Sequence, residues 1–282
     1  MPSKSLPLVS IITPTYNGAK YLDELILSIR NQDYPAIEHI IIDDGSNDDG
    51  ATLALLKKCP HVRWWSRENK GQYATMNEGL AAARGDIFCF ISADDTMPPG
   101  AVCAAVDSLS VHPECDGVYG KIHYMDEKGA RYPVQPVMAT GPLFLFPYFG
   151  FIFHCALYLR KQSVLEKGLL FDPALRTTGD FDWIMNLIHA GLKFRYIPVV
   201  CANMRIHPGQ TSVRRQEMAK EEQKFIYKRH GVNRFLLRLI GILLTFRSAF
   251  FRILHEQRRY GIKRSSAMLY SMIAGRIQRI IN

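Results

Sequence analysis

Two pairs of adjacent aspartates each close an apolar run: Asp43-Asp44 in IIIDDGSNDDG and Asp94-Asp95 in FISADDTMPPG. Side-by-side carboxylates repel. A divalent cation relieves that repulsion, because magnesium or manganese takes hard oxygen ligands from one or two carboxylates and leaves its other positions to phosphate and water. Solubility of an exposed loop is the plainer reading of such acids, and the choice turns on whether the pairs meet. A third pair, Asp180 and Asp182 in TTGDFDWIM, opens an apolar-periodic segment. Acids there either cap a helix or accept a proton from a substrate hydroxyl. Two histidines stand in apolar surroundings, His154 in FIFHCALYLRK and His207 in RIHPGQTS. A lone histidine of that kind is commonly a satisfied core group.

The elements that must position these residues alternate between two periods. Leu8–Thr13, Glu38–Asp43, Val62–Arg67 and Ile87–Ser92 read as strands, with helical spacing over Tyr21–Asn31, Ala51–Lys58 and Gln72–Ala83 between them. Such alternation predicts βαβ units and a parallel sheet covered on both faces. Strands of a parallel sheet point one way, so Thr13-Pro14, Asp43-Asp44 and Asp94-Asp95 would gather along the edge where open α/β sheets bind ligands. Pro113 to Gly150, rich in Pro, Gly and aromatics, reads as irregular. Phe181–Ala190 reads as a helix and KFRYIPVVCANMRI as a strand.

The chain has 282 residues, 48% of them hydrophobic, enough for one large α/β domain or for one domain plus an appendage. Its six cysteines form no CxxC pair and no short His/Cys spacing, which argues against a zinc or disulfide framework and for reduced thiols in the cytosol. The opening MPSKSLPLVSIITPTYNG reads as a first strand rather than a signal peptide. The net charge of +9 is uneven: from Arg214 onward sixteen Lys and Arg face four Asp and Glu. That imbalance points to an anionic partner for the tail.

The motifs, in their order and spacing, resemble one family. PLVSIITPTYNGAKYLDELILSIRNQDYPAIEHIIIDDGSNDDG is similar to the opening of the inverting family 2 glycosyltransferases, and ENKGQYATMNEGLAAARGDIFCFISADDTMPPGA to their second signature. The resemblance extends weakly to about Ser212. It implies a GT-A type α/β fold, a mostly parallel Rossmann-like sheet flanked by helices, with residues 1–112 as the nucleotide-sugar half and 113–212 as the acceptor and base half. Residues 213–282 would be a basic amphipathic extension.

The roles it implies are these. Thr13, Pro14 and the Tyr16-Asn17 turn lie against the nucleotide. Asp44 accepts a hydrogen bond from the base, with Ser46 nearby. Asn69 and Gly71 open a helix whose N–H groups suit phosphates, and Asn77 and Gly79 belong to the same signature. The family's Asp-x-Asp becomes Ser92, Asp94 and Asp95 here, with Asp95 chiefly for Mn2+ or Mg2+ and Asp94 for ribose and metal. His207 stands near diphosphate and metal, with Arg205 as companion. Asp180 is the base, Gly179 replacing the commoner acid before it, and His154 and Asp182 belong to the acceptor side. Asp43 is a turn orienter or a ligand contact, while Asp48 and Asp49 are helix-terminal charge.

The implied activity is transfer of a single sugar from a UDP- or dTDP-sugar to a hydroxyl, on a lipid-linked surface-glycan precursor. Processive members carry Gln-x-x-Arg-Trp and several transmembrane helices, and this sequence has neither. A non-catalytic sugar-nucleotide binder is the alternative, opposed by the retained acids. Nucleic acid is not expected as a partner, since the tail lacks interleaved aromatics and a recognised motif. In VNRFLLRLIGILLTFRSAFFRILHEQRRY, Arg234, Arg238, Gly241, Thr245, Ser248, Arg252, Glu256 and Arg259 share one helical face. A helix lying on the inner face of the cell membrane is the expectation; packing on the catalytic domain or on a second subunit is the other reading.

Overall fold

The computed structural model describes residues 6–133, 141–233 and 235–240. Strands β1 (Val9–Thr15), β2 (Ile37–Asp43), β3 (Arg63–Ser66) and β4 (Ile87–Phe90) alternate with helices α1 (Ala19–Arg30), α2 (Ala51–Lys57) and α3 (Gln72–Ala82). There follow α4 (Ala101–Val111), β5 (Gly117–Met125), β6 (Arg131–Pro133), α5 (Phe146–Phe149), β7 (Leu157–Arg160) and α6 (Lys161–Leu165). The last of these elements are α7 (Gly179–His189), β8 (Phe194–Arg205), α8 (Thr211–Arg214) and α9 (Gln216–Arg229).

One sheet runs in the order β3-β2-β1-β4-β7-β5-β6, with β8 also paired to β5. The first four strands are mutually parallel. β7 is antiparallel to both β4 and β5, and β8 runs parallel to β5. The carboxyl ends of β1, β2, β4 and β8 therefore share an edge with the start of β7.

Both faces of the central strands β1, β2 and β4 are largely buried, which is why these strands are mostly apolar. Along β4, Ile87 and Cys89 join a cluster with Leu22 and Leu25 of α1 and Val102 and Ala105 of α4. The alternate residues Phe88 and Phe90 meet Trp183 of α7 at ring distances of 6.5 and 5.7 Å, and Phe171 stacks on Trp183 at 4.3 Å. Each such ring is worth about 1.5–3 kcal/mol of burial. Period-two alternation thus splits one strand between two cores.

The expectation of an irregular stretch over Pro113 to Gly150 is overturned. GVYGKIHYM is the nine-residue β5, bonded to β6, β7 and β8. Its glycines, which read as turn residues, permit close approach instead. A Cβ at Gly120 would lie 2.3 Å from Cys201 Sγ and 2.6 Å from the Val199 carbonyl, where the pairing with β8 shifts register. α4 and β7 are likewise elements that the sequence periodicity did not single out.

The compact unit runs from Met1 to Lys224, past Ser212 where the sequence places the boundary, and a second unit begins at Phe225. Within the second, Arg229 lies 4.6 Å from the Phe225 ring centre, and Asn233 Oδ1 accepts from the N–H groups of Phe235 and Leu236. Among the described residues no helix is long and apolar enough to cross a membrane. The amphipathic run expected to meet a membrane falls, at Arg234 and from Gly241 on, outside the described residues.

Gly79 of α3 packs directly on β1: a Cβ there would stand 2.3 Å from Ile12 Cγ2 and 3.3 Å from Ile42 Cδ1. Ile12 is fully buried and stiff at its branched carbon. Gly79→Ala is expected to destabilise the fold by about 1–3 kcal/mol. Urea unfolding checks this, the midpoint falling at an unchanged slope.

Candidate active site

At the end of β2 the two aspartates turn to opposite sides. Asp43 is fully buried and accepts from Ser66 Oγ (2.6 Å) and from the Ser46 hydroxyl. It orients the turn. Asp44, also buried, pairs with the Arg67 guanidinium and accepts from the N–H groups of Lys70 (2.8 Å) and Gly71 (2.9 Å). Asn69 Nδ2 donates to the Asp44 carbonyl at 2.8 Å. The N–H of Gly71 and the amide of Asn69, expected to face phosphates, are thus committed to Asp44. Arg67 is held in turn by Glu78 (2.8 Å) and Thr75 Oγ1 (2.9 Å).

Three further expectations on the nucleotide side are corrected. Thr13 is fully buried, its hydroxyl 3.0 Å from His39 Nε2, because β1 continues to Thr15 and turns Thr13 into the sheet. Burial, with the His61 charge, pushes His39 down to about 3, so this imidazole is neutral. Asn77 clamps the backbone of Phe171 through two 2.9 Å bonds rather than facing a ligand. Ser46 Oγ is engaged between Asp43 and the N–H of Asn17. Tyr16 remains half-exposed with Pro14 part-buried beside it, and Asn17 takes a left-handed turn (φ +53°) with its amide on Asn47. Asp48 accepts from the Thr52 hydroxyl at 2.6 Å and from the Thr52 N–H at 3.2 Å in the first turn of α2.

The second pair resolves its repulsion the same way. Asp94 faces outward, with Oδ2 2.9 Å from His207 Nε2. Asp95 is buried and accepts the N–H of Arg205 at 2.9 Å. Burial first, then the Asp94 charge, pushes the Asp95 carboxyl well above the usual range. Asp95, expected as the chief metal ligand, is thus turned inward onto Arg205, whereas Asp94 lies with His207 toward the surface. Arg205, 1% exposed, donates to the carbonyls of Asp94 (2.8 Å) and Glu127 (3.1 Å) and to Glu24 (2.5 Å), over the Tyr21 ring at 4.5 Å. The Thr96 and Asn203 backbones exchange two bonds, which locks the Asp94-Asp95 turn to β8.

The third pair opens α7. Asp180 Oδ2 lies 2.9 Å from His154 Nδ1, at the entry to β7. Burial works to raise the Asp180 carboxyl, but the His154 hydrogen bond and charge, aided by the Phe181 and Asp180 N–H groups, hold it below the usual range. Among the described residues His154 Nε2 is buried without a hydrogen-bond partner. Asp182 is fully buried and bonded by Asn186, which removes it from the acceptor side. The glycine standing for an acid at 179 has a steric cause: a Cβ there would meet the Tyr73 ring at 2.6–2.8 Å.

Contacts link these groups in sequence. Asp44 holds Lys70-Gly71, Arg176 reaches the Lys70 carbonyl at 3.4 Å, and Tyr73 packs on Gly179 beside Asp180. Buried Cys155, next to His154, feels the charges of both Asp95 and Asp180. Sequence reasoning missed Arg67, Tyr73 and Arg176; only the glycine at 179 signalled that another side chain fills that space. Among the described residues no three His, Cys, Asp or Glu side chains gather as a cage for a metal.

In its fold the molecule resembles the S. aureus TarS 1-349 complex with UDP-GlcNAc, with a TM-score of 0.66 and 18% identity over 98% of this chain and 82% of that one. An uncharacterized glycosyltransferase of Rickettsia felis is 35% identical over 197 residues, 67% of this chain and 33% of that protein. Escherichia coli chondroitin synthase is 28% identical over 228 residues, 77% of this chain and 32% of that one. The chain thus spans about a third of these two relatives. Residues 10–168 match the model of glycosyl transferase family 2. The chain belongs to that family.

Proposed function

We propose that the protein transfers one sugar, with inversion, from a nucleoside diphosphate sugar to an acceptor hydroxyl. The observation that carries this reading is the Asp180 carboxylate, held by the His154 imidazole at 2.9 Å on the sheet edge that also bears Asp94 and His207. The acceptor oxygen bonds to the anomeric carbon as the bond from that carbon to the diphosphate breaks. The hydroxyl proton passes to Asp180, whose Oδ1 is the oxygen not engaged by His154. A nucleoside diphosphate and a glycoside result.

Asp94 and His207 fit a divalent cation: one carboxylate oxygen and one imidazole nitrogen converge at 2.9 Å, both part-exposed, leaving other positions for diphosphate and water. Such a cation, when bound, offsets charge building on the leaving diphosphate. The TarS neighbour's complex with UDP-GlcNAc supports a uridine diphosphate donor. A lipid-linked acceptor at the inner face of the cell membrane rests on the basic tail.

Purified protein with Mn2+ and a panel of UDP- and dTDP-sugars is expected to release nucleoside diphosphate in proportion to acceptor glycosylated. Asp180→Asn is expected to lower kcat about a hundred- to ten-thousand-fold, with the donor KM near that of the unmodified enzyme. Full activity in that variant would refute the assignment.

The pH profile carries a sign. A lowered Asp180 carboxyl places the acid limb of kcat below the ordinary carboxylate range. His154→Gln removes the main lowering influence, so the limb is expected to move to higher pH in initial-rate measurements. A limb that stays in place, or moves down, contradicts the pairing.

A further inference from the structure

From Arg214 on the sequence is strongly basic, and two of its few acids stand at the surface. Glu217 pairs with Lys220 and Glu221 with Lys224 on the exposed face of α9, contacts of small energetic consequence. Glu222, one residue on, does something else. Its carboxylate accepts five hydrogen bonds from three consecutive residues: the N–H of Arg176 (2.6 Å) on Oε1, and on Oε2 the N–H groups of Thr177 and Thr178 (2.9 Å each) with their hydroxyls (2.5 and 3.0 Å).

Those three residues lead directly into the proposed base. Thr178 is the residue before α7, yet its hydroxyl caps nothing in its own helix and goes to Glu222. Asp180 follows two residues later. On the other side of the strap, the Arg176 guanidinium reaches the Lys70 carbonyl at 3.4 Å and lies over Gly71, where a Cβ would stand 2.3 Å from Nη1. The strap therefore joins the start of α3, which Asp44 holds, to the start of α7, which bears Asp180. Backbone N–H groups preceding a helix are donors that its own turns cannot satisfy, and one carboxylate satisfies three of them here. Glu222 lies beyond the residues matched by the family model, as do Asp180 and His207.

We propose that Glu222 is a positioning residue for glycosyl transfer, fixing the Arg176–Thr178 strap so that Asp180 keeps its bond to His154 and Arg176 stays over Gly71. The proposal rests on the reading of Asp180 as the base. It makes the start of the basic extension part of the transferase, since the side chain that locks the base enters from there.

The test uses the full chain and Glu222→Gln, which keeps size and shape but turns an N–H2 toward donors. Histidine ring resonances are recorded by NMR for the unmodified protein, Glu222→Gln and Asp180→Asn, with no donor present. The His154 signals of Glu222→Gln are expected to move toward those of Asp180→Asn while those of His39 stay in place. Unmoved His154 signals would overturn the proposal. With donor and acceptor, kcat of Glu222→Gln is expected to fall about ten- to a hundredfold at an unchanged donor KM. The Glu222→Gln/Asp180→Asn double variant should be no slower than Asp180→Asn alone, because both act through one group. An equal further loss in the double variant marks Glu222 as merely structural and overturns the proposal. Thr178→Val, which deletes one of the five donors and leaves Glu222 intact, should give a smaller shift of the same kind; an unshifted His154 in this folded variant as well as in Glu222→Gln sinks the idea. If the unmodified protein transfers no sugar from any donor, the reading of the reaction fails, and the NMR comparison still decides whether Glu222 positions Asp180.

Discussion

A buried guanidinium dictates how the catalytic edge is assembled. The Arg205 guanidinium carries a positive charge and five donors in a fixed fork. Leaving such a charge unpaired in the interior is strongly unfavourable, so the fold must bring acceptors to it. It brings them from three places: the carbonyl of Asp94, the Asp126-Glu127 turn after β5, and Glu24 on α1, with the Tyr21 ring beneath. The backbone N–H of the same residue fixes Asp95. Moving the Asp94 turn would strip partners from Arg205, so Asp94 and His207 are held facing each other before any ligand arrives. Preorganisation of this kind is what makes fixed charges effective against charge that develops during reaction.

The same logic disposes of the paired aspartates. At the end of β2 and in the turn after β4 the adjacent side chains diverge, and both pairs separate their charges in that way. In each pair one carboxylate is tied to the protein's own N–H and hydroxyl donors, Asp43 by serines and Asp95 by Arg205. Their partners diverge. Asp44 is drawn into an ion pair that braces the loop before α3, whereas Asp94 meets a histidine across a part-exposed gap. Two similar letter pairs thus do different work, one bracing the loop before α3 and one presenting donor atoms.

That difference marks how far the sequence could be read. The β1–α3 region was legible, because continuous apolar strands and amphipathic helices alternate with little ambiguity, and the convergence of strand ends followed from the topology. The far half of the sheet was not: glycines at 117 and 120 look like turn residues, yet they sit in a strand because Leu159 and Cys201 crowd them. Residue roles failed where a side chain's direction depends on one position of register. Thr13 faces inward because β1 runs on to Thr15, and the turn after β4 buries Asp95 while leaving Asp94 part-exposed. Glu222 was invisible, since nothing local separates it from the solvent-facing Glu221.

The central claim is that the acids of one sheet edge form a single site for a cation-bound diphosphate, with Asp180 and His154 beside it. Paramagnetic broadening of histidine ring signals on adding Mn2+ with UDP measures this directly. His207 and His154 should broaden ahead of His61 and His112, which the topology puts at the opposite edge, before β3 and after α4. Broadening of His61 or His112 first, or of His207 with His154 untouched, would contradict the account.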